Sequence, residues 1–340
     1  MSKGNIVNNQ ISGRAAASAS LTLAFVTLLS VTACKPTPEM VQHALADQRK
    51  TLLAQCPPPA PRVPDSEEAR YPIQVDQWGG SGPEVLLIHG GVQGRVGGGP
   101  KTFDRQQALA NMGWTVERVS RPGFGDSPSR GPDDMQADAR ALAELIKPDT
   151  NVIAHSWGGT EALLAAARRP ERVHSLILIE PAIPPTIGGP GVMDDPAVAA
   201  DLKKRTIASL TARTPADFAR TFSSQMGEMT PDVLQLGPGT SMTDKDAAEL
   251  GCSVLGARMA AMDDILAAIE TVKRAHIPVL IVTGGWSPSF DATAEVLARL
   301  LYGRHVIVRS PNHFVQYANA EEFNTVASDF MRSADKRSRP

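Results

Sequence analysis

Asn151-Val152-Ile153-Ala154-His155-Ser156-Trp157-Gly158-Gly159 runs from a continuous apolar stretch into a serine held between two large neighbours and followed at once by glycines. An apolar run of this length reads as a strand buried on both faces, and the glycines open a helix expected over residues 160–168. Ser156 then falls on a tight strand-to-helix turn, which lifts its hydroxyl out of the sheet and offers it as a nucleophile. Ala154 stands where the usual G-x-S-x-G pattern has its first glycine, a methyl group that the turn has to absorb.

Upstream, Glu84-Val85-Leu86-Leu87-Ile88-His89-Gly90-Gly91 is a second apolar strand, ending in His-Gly-Gly and entering a glycine-rich loop at residues 92–100. Glycines there leave backbone N–H groups open. Fixed N–H donors aimed at a developing oxyanion lower the barrier of acyl transfer by roughly 3 to 4 kcal/mol each. The donors expected are the N–H groups of Gly91 and of Trp157, the residue after the nucleophile; His89 is read as structural. The loop lacks the Lys-Ser/Thr that would follow a phosphate cradle.

Near the chain end, Ser310-Pro311-Asn312-His313-Phe314-Val315-Gln316 follows a strand-like stretch at 305–309. A serine hydroxyl needs a neighbouring imidazole to take its proton and later return it to the leaving group. Of the seven histidines, only His313 stands on a loop just after a late strand, so it is the expected base.

On His89-Gly90-Gly91, Arg121-Pro122-Gly123-Phe124-Gly125-Asp126-Ser127, His155-Ser156-Trp157-Gly158-Gly159 and Asn312-His313-Phe314, taken in this order, residues 71–331 resemble an α/β-hydrolase with an inserted helical lid. The resemblance implies a mostly parallel, doubly wound sheet and a serine hydrolase cleaving a carboxylic ester or lactone without a cofactor. Epoxide hydrolases and haloalkane dehalogenases of the superfamily use an aspartate nucleophile, which Ser156 argues against. An iminopeptidase, another amide or carbon–carbon bond hydrolase, and a catalytically silent surface binding protein remain as alternatives.

The triad acid is where the chain departs from the common pattern. Most relatives carry an aspartate a few residues past the strand expected here at 278–283, and that slot holds Ser287. Asp291 lies farther on, at the expected N-cap of a helix over 292–301, where backbone N–H groups would claim its carboxylate. Glu180 ends the apolar strand of residues 173–179, and a carboxylate so placed needs a partner. Some relatives take their acid from this earlier strand. Glu180 is therefore the favoured acid and Asp291 the alternative.

Composition sets wider bounds. The 340 residues carry 34 basic and 36 acidic side chains, a net charge of -2, which gives no electrostatic pull toward nucleic acid. Metal-ligand spacings such as H-E-x-x-H or paired C-x-x-C do not occur. The expected organisation is an export signal at 1–33, a tether with a short amphipathic helix at 34–70, a core at 71–181, a helical lid at 182–276 and the rest of the core at 277–335. Lys3 and Arg14 precede an apolar stretch at 21–31 that ends Val31-Thr32-Ala33-Cys34. This resembles a bacterial lipoprotein cleavage site and implies a lipid on Cys34, a membrane-anchored chain and a periplasmic or extracellular address. In such an oxidising compartment Cys56 and Cys252 could form a disulfide tying the N-terminal extension to the lid.

Overall fold

The computed structural model describes residues 37–61, 63, 71–94, 96, 98–232 and 241–335. The export signal expected at 1–33, the lipidation expected at Cys34, and Arg95 and Gly97 of the glycine-rich loop lie outside them.

Seven strands form one sheet in the order β1-β3-β2-β4-β5-β6-β7. They are β1 (Gln74–Trp78), β2 (Glu84–Ile88), β3 (Thr115–Ser120), β4 (Thr150–His155), β5 (Val173–Ile179), β6 (Val279–Thr283) and β7 (Arg304–Ile307). Only the β1–β3 pair is antiparallel. Side chains alternate between faces along each strand. Leu86, Val152, Ala154, Leu176 and Ile281 accordingly pack on one side, beneath the helices α2 (Met135–Leu145), α3 (Ser156–Arg168), α7 (Met262–Arg274) and α8 (Pro288–Leu300). Val85, Leu87, Ile153, Ile177 and Leu280 pack on the other, against Phe103, Leu109 and the helix α9 (Ala320–Asp335). Burial on both faces is why β4 and β5 read as unbroken apolar runs.

Between β5 and α7 the chain forms helices α4 (Pro196–Thr211), α5 (Pro215–Ser224) and α6 (Asp244–Gly256). Capping boxes, Thr214 with Asp217 and Thr243 with Asp246, fix the starts of α5 and α6. The segment read as lid extends to 276, but its last helix, α7, packs Ile265 and Ile269 into the core on the α3 side. It thus lies in the layer over the sheet. The N-terminal extension contains α1 (Pro38–Leu53), capped by the Thr37 side chain and with Pro38 at its first position. The short amphipathic helix expected in this extension is docked on the rest of the chain: Leu52 is fully buried with Ala212 and Leu255.

Candidate active site

Neighbouring parallel strands end on the same edge of the sheet, and the chain reverses winding direction at β2 and β4, where a crevice opens. β2 delivers Gly91 there, β4 delivers Ser156 and β5 delivers Glu180. The loops after β6 and β7 deliver Trp286 and His313.

Ser156 has φ +53, the left-handed conformation that disfavours side chains by roughly 1–2 kcal/mol. The turn is held by packing that admits no side chain. A Cβ on Gly158 would lie 2.2 Å from the His89 carbonyl oxygen, and one on Gly90 would lie 2.7 Å from Cβ of Ser156. Glycine at these positions lets α3 and the end of β2 meet closely.

His313 Nε2 lies 2.7 Å from Ser156 Oγ, and His313 Nδ1 lies 2.6 Å from Glu180 Oε2. Glu180 also has positive φ, +40, just before Pro181. Its carboxylate accepts from the backbone N–H of Gly284 at 2.8 Å and from Trp286 Nε1 at 2.9 Å. Burial raises the Glu180 carboxyl well above the usual carboxylate value, and the Gly284 and Trp286 donors oppose that rise. Burial, aided by the Arg205 cation, lowers His313 to about 3. Both effects resist an imidazolium–carboxylate pair at rest. The imidazole is therefore neutral, with Nδ1 against Glu180 and Nε2 facing the hydroxyl whose proton it is placed to accept.

Asp291 is placed elsewhere. The helix begins at Pro288 with Ser287 as its N-cap, so Asp291 sits in the first turn and is not the cap. No hydrogen bond joins its side chain to His313 among the described residues, and its buried Oδ1 has no hydrogen-bond partner there. Ser287, in the slot where most relatives keep their acid, donates to the carboxylate of Asp201 on α4 at 2.8 Å. Asp201 also accepts from Ser289 Oγ at 2.5 Å and pairs with Arg205 at 3.4 Å.

Gly91 and Trp157 border the same cavity as Ser156 and His313. Gly91 has φ +84, and Trp157 stands in the first turn of α3, where N–H groups lack an intrahelical carbonyl. Behind them His89 is fully buried, and burial together with the Arg121 charge holds it well below its ordinary pKa. Its Nε2 accepts from the Arg121 N–H at 3.1 Å, which leaves the proton on Nδ1 to donate to the Gly90 carbonyl at 2.8 Å. His89 thus shapes the loop, as its sequence reading expected.

Several positioning groups escaped the sequence reading. Arg121, read only as part of a turn, is fully buried and donates to the Gly91 carbonyl at 2.9 Å. Trp286, one residue before Ser287 in the loop after β6, carries no sequence pattern that gives it a role. The Met226 carbonyl, in the stretch after α5, accepts from the His313 backbone N–H at 2.9 Å, and Gly227 bridges to Asn312. His155 Nε2 lies 2.9 Å from the His313 carbonyl and holds the base loop from below. An Arg-Pro-Gly turn closing a strand was the one available signal for Arg121; contacts across 80 or more residues left none.

The cavity measures about 390 Å³ and its walls are mostly apolar. Leu250, Val254, Met226, Met229 and Phe222 of the lid segment contribute, as does Met259. Among the described lining residues Arg49 is the one permanently charged side chain, and its guanidinium already donates to the carbonyls of Leu255 at 2.8 Å and Ala257 at 2.9 Å. Among the described residues no cluster of side chains suited to a metal ion occurs. Cys56 and Cys252 are bonded, with an S–S distance of 2.09 Å and Cα atoms 5.6 Å apart.

Residues 85–326 match the alpha/beta hydrolase family. A pimeloyl-(acyl-carrier protein) methyl ester esterase of Neisseria meningitidis serogroup A is 26% identical over 265 residues, covering 73% of this chain and 76% of that protein. A 2-hydroxy-6-oxononadienedioate/2-hydroxy-6-oxononatrienedioate hydrolase of Burkholderia vietnamiensis is 26% identical over 285 residues, covering 79% and 93%. Among solved structures, a thermophilic esterase from Thermogutta terrifontis superposes with a TM-score of 0.55 at 18% identity, covering 77% of this chain and 93% of its own. That last likeness is one of fold.

Proposed function

The chain belongs to the alpha/beta hydrolase family, and from that premise we propose that it is a serine esterase that opens a carboxylic ester or lactone through an acyl-enzyme. The observation that carries this reading is the continuous hydrogen-bonded line from Ser156 Oγ through His313 to Glu180. His313 Nε2 takes the hydroxyl proton as Ser156 Oγ attacks the carbonyl carbon. Glu180 holds the imidazole in the productive tautomer and stabilises its charge, while the Gly91 and Trp157 N–H groups receive the oxyanion. The imidazolium then protonates the departing alkoxide, and water, activated by the same base, releases the acid. A motive for reading the fold as a silent binding protein is the absence of an acid at Ser287; the carboxylate of Glu180 on His313 supports an enzyme instead. The apolar walls, with a single guanidinium already bonded to two carbonyls, favour an apolar acyl group over a dicarboxylate.

A fluorophosphonate probe tests the reading. Labelling of the folded protein that disappears in Ser156→Ala is expected, together with turnover of simple aryl esters. A folded sample that neither labels nor turns over esters would sink it.

Export through 1–33 and lipid attachment at Cys34 belong to the same proposal, which would set the enzyme at the outer face of a membrane. The Cys56–Cys252 bond supports an oxidising compartment. Mass spectrometry of the detergent-extracted protein should find a thioether-linked diacylglyceryl on Cys34; a soluble chain with Cys34 unmodified or absent would contradict it.

A further inference from the structure

Helix α1 precedes the segment that matches the family, yet it borders the cavity that holds Ser156. Leu45, Gln48, Arg49 and Leu52 all line that cavity. Their spacing of i, i+3, i+4 and i+7 places them on one stripe of the helix. The two polar members tie the helix down. Gln48 Nε2 donates to the Ala212 carbonyl at the end of α4 at 2.6 Å, and Arg49 donates to Leu255 and Ala257 at the end of α6. These carbonyls close lid helices and have no partner within them. Of the two apolar members, the half-buried Leu45 faces the cavity, and Leu52 packs behind its wall against Ala212 and Leu255. Beyond the helix, Gln55 donates to Arg213 at 3.2 Å, and the Cys56–Cys252 bond joins the end of α1 to α6. Cys252 sits in sequence among Leu250, Val254 and Leu255, which line the same space.

We infer that α1 is the wall that sets acyl-chain length in this enzyme, with Leu45 as the specificity-determining side chain, Leu52 as its buried support and the Cys56–Cys252 bond as the fastening that keeps the helix in place. The substrate class is an ester of a straight, apolar acyl chain. The volume admits roughly a dozen methylene-sized groups at ~30 Å³ each, the share of one liquid water. The chemistry at Ser156 makes no use of the helix; its contribution is a fixed apolar surface along the acyl chain. The substrate class rests on the esterase reading, whereas the wall itself does not.

Two measurements keep those apart. The first is equilibrium binding of a fluorescent dodecanoate to protein carrying Ser156→Ala, which needs no turnover. Adding Leu45→Trp, which fills the cavity, is expected to weaken binding at least tenfold. Ala46→Trp, the same bulk on the exposed neighbour, should bind within twofold of the parent. The double variant Cys56→Ser/Cys252→Ser should weaken binding severalfold by freeing the wall. The second is the ratio of kcat/KM for p-nitrophenyl dodecanoate over acetate, expected to fall at least tenfold in Leu45→Trp. Equal dodecanoate affinity in the parent, Leu45→Trp and the serine pair would overturn the inference even if ester hydrolysis proceeds. An absence of Ser156-dependent hydrolysis, with binding still lost in Leu45→Trp, would leave the wall standing and remove the esterase reading.

Discussion

The molecule buries two clusters of charge, and they do opposite things. One is Glu180 with His313. The other centres on Arg121, whose guanidinium meets Asp133 at 3.1 Å, Asp138 at 3.2 Å and Glu161 at 2.7 Å, with Arg130 also on Asp138. All five side chains of the second cluster are sealed from solvent. Their donors and acceptors answer one another and the backbone of the Gly91 loop, through Gly91 and through Asp133 on the Gln93 N–H at 2.8 Å. In the first cluster, the imidazole has one nitrogen committed to Glu180 and the other turned toward a hydroxyl in an open cavity. Burial perturbs both: it raises Glu161 well above the carboxylate range and Asp133 to about 6, as it raises Glu180. A perturbed carboxylate alone therefore does not identify a catalytic one. What separates the two is whether a group that can accept a proton faces space where a substrate fits.

The contrast can be broken by substitution. In the open cluster, Glu180→Gln should lower turnover by about 10⁴ while leaving the fold intact, since the amide disturbs the tautomer the base requires. Asp291→Asn should stay within about threefold, in keeping with the ordinary variation of substitutions away from a site. Steady-state kinetics on both variants decide the matter, and the reverse result would transfer the acid role to Asp291. In the sealed cluster, Arg121→Met leaves Asp133 and Glu161 without their cation, Arg130 remaining on Asp138, and should destabilise the fold by about 3–5 kcal/mol, read from denaturant unfolding. A variant of unchanged stability and lost activity would make Arg121 part of the chemistry.

The pH profile sharpens the comparison by a smaller effect. A neutral imidazole is the active form, and burial depresses His313 to about 3, so the base persists as pH falls through the ordinary histidine range. The acid limb of kcat/KM for an uncharged ester should then lie below pH 5. A midpoint near 6.5 would mean that the base is far more hydrated in solution than its burial implies. The sealed cluster has its own signature. Asp133 in the folded chain titrates near 6, above the unfolded value, so its contribution to stability is present at low pH and declines as pH rises from about 4 to 6.

Much of this was legible before any coordinate. The apolar runs of β2, β4 and β5 announce strands buried on both faces, and the glycines after Ser156 announce a turn too tight for side chains. Their meaning is local, which is why Ser156, Gly91 and the loop of His313 could be picked from the chain alone. The acid could only be narrowed to two candidates. Sequence patterning placed Asp291 at a helix cap, yet the helix starts earlier, at Pro288, with Ser287 as cap. Missing the carboxylate of Asp201 on Ser287 was unavoidable, because that contact spans 86 residues.

By itself, then, the sequence determined the sheet, the turn that exposes Ser156 and the choice of His313 as candidate base, because each depends on periodicity and turn chemistry within a dozen residues. The tertiary structure alone decided that the carboxylate on His313 comes from Glu180. It likewise decided that Arg121 braces the Gly91 loop and that a helix from the N-terminal extension closes the cavity. Those outcomes depend on which strand ends lie side by side and on how helix ends are capped from afar, and strand order is fixed only when the whole core packs.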